Sequence, residues 1–313
     1  MTVSPASARR LDAISGPDGI IVGAAVDHRD SLLAVLRDRG IDDWGPEQLS
    51  SFKQLVARVL APSATLMLLD VETSAAQAVA SGALPGTTGL ALPLEAQGYE
   101  ELDGGPATTL LDDWDPERTA RLGADACKLL LPFRVDRPEH VRRQEELATS
   151  VAGDLHACGL ALILEPIVFR DPDADFVGDE FAQLVIEGAA RLRETGTDLL
   201  KVQYPGSADA CAALSAACGQ TPWVLLGGGA DAAAIEAQVR DACRAGASGF
   251  VVGRTLFNDA LKRDPAESER VLRERSLPLL VRLGEIARTE GTSWRDRVGP
   301  IAVPPLGWHR TAA

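Results

Sequence analysis

Three charged residues interrupt short apolar runs in the middle of the chain: Lys128 in ACKLLLP, Glu165 in GLALILEP and Lys201 in DLLKVQYP. Such side chains are rarely buried unless they are paired or have a chemical use. Their spacing is regular, with 37 residues from Lys128 to Glu165 and 36 from Glu165 to Lys201. One strand–helix–strand unit needs about 30 residues or more, so the three side chains are expected at similar heights on successive strands, facing one cavity.

Two lysines beside a carboxylate are suited to Schiff-base chemistry. A free lysine has a pKa of about 10.4, and burial or a second positive charge lowers that value, which makes a neutral, nucleophilic amine available. This favours Lys201 as the nucleophile, Lys128 as the neighbouring cation and Glu165 as the general acid/base that moves a hydroxyl proton. The structural alternative is that the strand lysines reach solvent or form ion pairs, with Glu165 simply paired to Lys128.

A second group of residues is suited to binding an anion. Three consecutive glycines, Gly227, Gly228 and Gly229, lie in LLGGGAD, and Gly253 and Arg254 lie in VVGRTLF. Glycines let backbone N–H groups approach phosphate oxygens, and an arginine adds a charge-assisted contact. These five residues are therefore predicted to bind phosphate. The alternative is tight packing at the ends of two strands, with Arg254 paired to an acid.

Asp27 and His28, in VDHRDS, could contribute to a metal site. A zinc-dependent enzyme would need several histidine ligands near the cavity, however, and His140, His156 and His309 are expected in helices or in the tail. Asp27 is therefore interpreted as an orienting carboxylate or a second proton relay. The sequence predicts no metal and no cofactor.

Eight short apolar runs, bounded by Gly, Pro or Asp, are typical of buried parallel strands. Between them, apolar positions that recur every three or four residues predict helices, several of which end before a glycine. The strands are expected at residues 19–27, 64–70, 89–94, 126–132, 159–166, 198–205, 222–228 and 249–254. Helices are expected at 46–61, 138–159, 179–196 and 232–246, among others.

This alternation predicts a (β/α)8 TIM barrel over residues 19–291, after an N-terminal segment (1–18) and before a Pro-rich tail (292–313). An open doubly wound sheet is less favoured, because no G-x-G-x-x-G follows the first strand. In such barrels the active site lies at the carboxyl ends of the strands, and the loops after strands seven and eight commonly bind phosphate. Whether the tail packs on the barrel or on a neighbouring subunit is left open.

Composition narrows the class of protein. The net charge of −14 disfavours binding to nucleic acid or to an anionic membrane. No apolar run reaches the ~18 residues of a membrane span, and the first residues lack the apolar core of a signal peptide. The five cysteines are scattered without a C-x-x-C pair, which is typical of reduced thiols in an intracellular protein. We therefore expect a cytoplasmic protein.

Between about residues 20 and 290 the chain resembles the class I tagatose-1,6-bisphosphate aldolases and their relatives, the sulfofructose-6-phosphate aldolases. The resemblance rests on AAVDHRDSL, GLALPLEAQGYEE, LGADACKLLLPFRVD, LALILEPIVF, DLLKVQYP and AGASGFVVGRTLF. It implies a metal-free lyase that forms a Schiff base with a ketose phosphate. The implied roles are Schiff-base lysine for Lys201, accessory lysine for Lys128, acid/base for Glu165, first-strand aspartate for Asp27, and phosphate binding for Gly228, Gly253 and Arg254.

Two positions depart from this family's usual pattern. Gln203 stands where an acidic residue is usual, and Gly227-Gly228-Gly229 replaces a serine-alanine-glycine sequence. The Schiff-base residues are intact, but the sugar is left open: a phosphorylated ketose such as tagatose-1,6-bisphosphate, or a sulfonated or deoxy sugar phosphate. A barrel that senses sugar phosphates without turnover is the alternative from another class. A homo-oligomer, a dimer or larger, is expected.

Overall fold

The computed structural model describes residues 3–102, 105–170 and 178–308. The strands are β1 (Ile21–Ala25), β2 (Leu66–Leu68), β3 (Gly89–Pro93), β4 (Glu100–Leu102), β5 (Gly105–Ala107), β6 (Ala126–Pro132), β7 (Ala161–Ile167), β8 (Leu199–Val202), β9 (Trp223–Leu226) and β10 (Gly249–Val252). Eight of them are parallel and close into a barrel in the order β1-β10-β9-β8-β7-β6-β3-β2, and β4 and β5 form a separate antiparallel hairpin. The (β/α)8 barrel prediction is confirmed.

The helices that surround the barrel begin with recognisable start signals. Proline occupies the first turn of α3 and α6, where a missing N–H costs nothing, and the Asp231 carboxylate accepts the Ala234 N–H at the start of α9. The helices are α1 (Pro5–Ala13), α2 (Asp30–Asp38), α3 (Pro46–Leu60), α4 (Ala75–Ala80), α5 (Pro116–Leu122), α6 (Pro138–Ala157), α7 (Asp179–Leu192), α8 (Ala208–Cys218), α9 (Ala232–Arg244), α10 (Arg254–Phe257), α11 (Pro265–Val271), α12 (Leu277–Glu290) and α13 (Trp294–Arg297). Within the described ranges, none of them is both long and apolar enough to cross a membrane.

Alternate residues of each barrel strand face opposite sides, as the period of two requires. On β7, Ala161 and Ile163 belong to the apolar cluster inside the barrel, whereas Leu162 and Leu164 pack in the layer between strands and helices. Glu165, two residues beyond Ile163, therefore also faces inward. The same alternation, counted from Ala126 on β6 and Leu199 on β8, turns Lys128 and Lys201 toward the barrel axis.

The amino end of the barrel is closed by the two ends of the chain. Leu11 and Ile14, from α1 and the residue after it, join the interior cluster together with the fully buried Trp294 of α13. The Trp294 indole N–H donates to Ser15 Oγ at 3.2 Å. We call α1 and α13 together the floor of the barrel. The first part of the tail thus packs on the barrel, whereas residues 309–313, including His309, lie outside the described residues.

Candidate active site

Lys201 and Glu165 lie side by side where β8 and β7 end. Leu164 and Leu200 are register partners on these strands, so the next residue of each strand reaches the same level. Lys201 Nζ is 2.8 Å from Glu165 Oε1, and each residue is only 6% exposed. The strand positions expected from the sequence are therefore the ones observed, and a buried amine is placed in direct contact with a base.

Lys128 lies on the other side of Glu165. Its Nζ is 2.8 Å from Asp27 Oδ2 and 3.7 Å from Glu165 Oε2, and it also forms an ion pair with Glu95 Oε1. Glu165 thus stands between two lysines, with one carboxylate oxygen toward each. All of these side chains are less than one-tenth exposed, so water screens their charges little.

The charges in this cluster are fixed by their neighbours. Burial alone would lower the pKa of Lys128, but the carboxylates of Asp27, Glu95 and Glu165 outweigh it and raise that pKa well above its usual value. Burial alone would raise the pKa of Asp27, yet Lys128 and then His28 hold it well below the usual range. Near neutral pH, Lys128 is a permanent cation and Asp27 a permanent anion. Lys128 is therefore unsuited to act as a nucleophile.

Glu95 is a member of the cluster that the sequence analysis missed. It lies two residues after β3, which ends at Pro93, and just beyond the predicted strand at 89–94. Burial raises the pKa of Glu95, while Lys128 partly opposes that rise. Its Oε2 accepts the Leu130 N–H at 3.3 Å. The alternation of strand residues could have indicated Glu95, because Ala91 faces the interior and a step of four residues keeps Glu95 on the same face.

Arg29 holds the backbone beside this carboxylate and was also missed. Its buried guanidinium donates through Nη2 to the Glu95 carbonyl at 3.0 Å and through Nη1 to Glu72 Oε1 at 2.7 Å. The loop after β1 is thereby tied to the segment after β3. No local sequence pattern would indicate a contact between residues 66 positions apart.

A cavity of about 310 Å³ opens above the lysines. Lys201, Lys128 and Glu165 line its base, and Gln97 and Tyr99 line the wall formed by the segment after β3. Larger cavities of about 790 and 800 Å³ lie beside α3 and α11 and next to the floor, but none of the predicted catalytic residues lines them. The smaller cavity has the dimensions of a small-molecule site and is lined by all four predicted catalytic residues.

The predicted phosphate residues lie nearby but do not line this cavity. Gly228 and Gly229 have φ angles of 54° and 83°, which favour glycine, whereas Gly227 is buried against Val252. The exposed Arg254 donates through Nη2 to the Gly228 carbonyl at 3.3 Å. Within the described parts of the chain it forms no ion pair with a carboxylate, so the acid-paired alternative finds no partner there.

Gly253 marks the point where the two groups of residues meet. A Cβ atom added there would come within 2.8 Å of His28 Cε1, and His28 lines the cavity above Lys201. Of the five predicted phosphate residues, Gly253 thus borders the site through a histidine ring. Their role in binding phosphate stays a prediction.

A third buried lysine shows what a structural pairing looks like in this protein. Lys53 Nζ is 2.5 Å from Asp70 Oδ2 and 3.0 Å from Thr73 Oγ1, and the residue is fully buried. Asp70 Oδ2 also accepts from Ser74 Oγ at 2.6 Å. Lys53 and Asp70 border none of the cavities reported above, and both are 0% exposed. Lys201 differs because its amine is open to a cavity.

Two other expectations concern residues near the site. Gln203, at the departure from the family pattern, accepts the Val168 N–H through Oε1 at 2.7 Å and does not line the cavity. Among the residues that the structure describes, no group of three histidine, cysteine, aspartate or glutamate side chains could hold a metal ion.

Comparison with known proteins identifies a family that this sequence matches. The family model described as DeoC/LacD family aldolase matches residues 21–259. The tagatose 1,6-diphosphate aldolase 1 of Enterococcus faecalis is 27% identical over 285 residues, which cover 83% of this chain and 86% of that protein. The tagatose 1,6-diphosphate aldolase of Streptococcus pneumoniae is also 27% identical, over 92% of this chain and 97% of its own length.

Solved structures resemble the fold at lower identity. An archaeal fructose 1,6-bisphosphate aldolase has a TM-score of 0.61 and 17% identity, covering 90% of this chain and 99% of its own. A Schiff-base-forming fructose-1,6-bisphosphate aldolase has a TM-score of 0.60 and 18% identity over the same shares. The fructose-bisphosphate aldolase of Slackia heliotrinireducens has a TM-score of 0.61 and 17% identity, over 96% and 93%. At these identities the likeness establishes the barrel.

Proposed function

Because the chain belongs to the DeoC/LacD family of aldolases and is therefore a carbon–carbon lyase, we propose that it cleaves a phosphorylated ketose through a Schiff base on Lys201. The observation that carries the proposal is the 2.8 Å contact between Lys201 Nζ and Glu165 Oε1 at the base of the cavity. A buried amine in contact with a base and open to a cavity is the arrangement that nucleophilic catalysis by lysine needs.

Formation of the Schiff base begins with a proton transfer. Lys201 gives a proton to Glu165, and the neutral amine adds to the substrate carbonyl to form a carbinolamine. Glu165 then returns its proton to the departing hydroxyl, which leaves as water, and an iminium remains. Three carboxylates hold Lys128 positively charged, so it stays a cation and leaves the role of nucleophile to Lys201.

Cleavage uses the same carboxylate a second time. Glu165 takes the proton from the hydroxyl on the far side of the bond to be broken, and the carbon–carbon bond breaks as an aldehyde forms. The bonding electrons move into the iminium and give an enamine. Protonation of the enamine carbon and hydrolysis by water then release dihydroxyacetone phosphate, or a close analogue, and restore Lys201.

A substrate like tagatose-1,6-bisphosphate is supported by the names of the relatives and by the glycine–arginine end beside the cavity. The departure at Gln203 concerns a side chain that is hydrogen-bonded to the loop after β7, so we expect it to affect that loop rather than the reacting atoms. The three glycines at 227–229 remove a hydroxyl from the expected phosphate side, which is where a different sugar would be accommodated.

The test is reductive trapping. The protein is mixed with a ketose phosphate and borohydride, and peptides are analysed by mass spectrometry, with aldehyde release measured in parallel. We expect a reduced adduct on Lys201 that is lost in Lys201→Met and retained in Lys262→Met, since Lys262 lies outside the cavity. Turnover that persists in Lys201→Met would refute the mechanism. An adduct without aldehyde release from any of tagatose, fructose or sulfonated ketose phosphates would favour a sensor.

A further inference from the structure

His28 connects the lysine cluster to the glycine–arginine end. It lines the same cavity as Lys201, and its ring lies against Gly253, the residue before Arg254. The ring also packs edge-on to Phe257, with 5.3 Å between the ring centroids. A ketose with its carbonyl carbon at Lys201 and an anionic group at Gly253 and Arg254 would have to pass this imidazole.

The His28 side chain is partly buried, at 24% exposure, and its Nδ1 atom lacks a hydrogen bond within the described parts of the chain. Nδ1 is buried without a hydrogen-bond partner among the described residues and lies 3.5 Å from Asp27 Oδ1. In a neutral ring the proton belongs on Nδ1, because that nitrogen faces a carboxylate. Nε2 is then left with a lone pair for whatever enters the cavity. Because His28 lines the cavity, a molecule bound there can pair with this lone pair.

We propose that His28 binds the anionic end of the substrate through Nε2 and that a proton is taken up from solvent as the anion binds. The inference rests on the proposed function, which places the carbonyl at Lys201. A lone pair at Nε2 would repel a phosphate dianion. The complex therefore needs one more proton, either on Nε2 or on the phosphate oxygen that faces it.

The charges around the ring explain why this proton is absent before binding. Burial lowers the pKa of His28 to about 4, Asp27 opposes this, and the positive charges of Lys201, Lys128 and Arg254 lower it further. The empty site therefore holds a neutral imidazole at pH 7. A bound dianion places negative charge beside the imidazole and raises the pKa of His28. The affinity for the anion should therefore increase as the pH falls from 8 to 6.

The experiment uses glycerol 3-phosphate, which has a phosphate but no carbonyl and so cannot condense with Lys201. Calorimetry at pH 6 and pH 8, in two buffers with different heats of ionisation, gives both Kd and the number of protons taken up. His28→Gln keeps a hydrogen-bonding group at the position of Nε2 but cannot titrate, and His28→Leu removes both properties. His156→Gln is the matched control, since His156 pairs with Asp198 next to the floor.

We expect His28→Leu to bind roughly tenfold or more weakly at both pH values, as loss of a charge-assisted hydrogen bond implies. At pH 8 the Kd of His28→Gln for glycerol 3-phosphate should lie within about threefold of the wild-type value. At pH 6 this variant should take up about half a proton per site less than the wild type on binding. His156→Gln should match the wild type. The titration of the free phosphate is common to all variants and cancels in the comparison.

Equal affinity and equal proton uptake in the wild type and both His28 variants would overturn the inference, as would a wild type that does not bind glycerol 3-phosphate. Borohydride trapping of each variant separates this result from the proposed function. An adduct on Lys201 without any His28-dependent proton uptake leaves the Schiff base standing and removes the role of His28. His28-dependent uptake without an adduct in the wild type leaves the anion site and removes the Schiff base.

Discussion

Lys128→Met is the substitution whose cost the structure defines most sharply. Lys128 is the counter-charge for Asp27, Glu95 and Glu165, all buried. An exposed ion pair is worth about 0–1 kcal/mol, whereas removing one partner of a buried pair costs about 3–5 kcal/mol because a charge is left uncompensated. We expect Lys128→Met to lower the free energy of unfolding by about 3–5 kcal/mol at pH 8. Proton uptake by the stranded carboxylates limits the loss.

The same loss should depend on pH in a defined direction. The pKa of Asp27 is lowered in the folded protein, so its contribution to stability is present above the unfolded value of about 3.9 and is lost as the pH falls through the folded value. Without Lys128 that contribution disappears, and burial pushes Asp27 and Glu95 toward their neutral forms. The deficit of the variant relative to the wild type should therefore be largest at pH 8 and shrink toward pH 5.

Chemical denaturation followed by circular dichroism at pH 8, 7, 6 and 5 measures this deficit. Lys262→Met is the control, because Lys262 has no ion pair with any residue that the structure describes. Adding Glu95→Gln to Lys128→Met removes one stranded charge and should recover part of the stability. A deficit below about 1 kcal/mol at pH 8, within the range of an exposed pair, would refute the reasoning. So would a deficit that does not change with pH.

Two further outcomes are expected. Glu165→Gln should lower kcat by about 10²–10⁴, the usual contribution of general acid/base catalysis, and the reduced Lys201 adduct should still form, but more slowly. Steady-state kinetics and borohydride trapping test this, and an unchanged kcat would contradict it. Trp294→Ala, in the floor, should cost about 3–5 kcal/mol in unfolding free energy without lowering kcat, since it empties a fully buried site far from the cavity. Val303→Ala, at a position 91% exposed, should leave both quantities unchanged and serves as its control.

The part of the site that lies on strands could be predicted from the sequence. Lys128, Glu165 and Lys201 interrupt apolar runs that contain barrel strands, and their spacing by one strand–helix unit places them at one level. Asp27 follows the first run in the same way and meets Lys128 at 2.8 Å. Periodicity and length were sufficient here because strand geometry fixes both the direction and the height of a side chain.

The remainder depends on segments whose shape is not set by a repeating pattern. Glu95 lies one residue beyond its run, and Arg29 reaches it from a distant loop. The hairpin of β4 and β5, with the sequence YEELDGGPAT, is polar and glycine-rich and carries no strand signal. The floor forms through contact between Trp294 and the end of α1, which are about 279 residues apart in the sequence. Local sequence patterns do not specify such a contact.

The floor also has a consequence for biosynthesis. Its two halves come from opposite ends of the sequence, and the Trp294 backbone N–H donates to the Gly19 carbonyl. A chain emerging from the ribosome therefore exposes the lower interior of its barrel until α13 has been added, because Trp294 lies 279 residues after Ser15, and aggregation competes during that interval. Since Val3 and Ile301 form a β-bridge, a short linker joining these two segments, with new termini opened in a surface loop, should yield a permuted chain that buries this interior earlier.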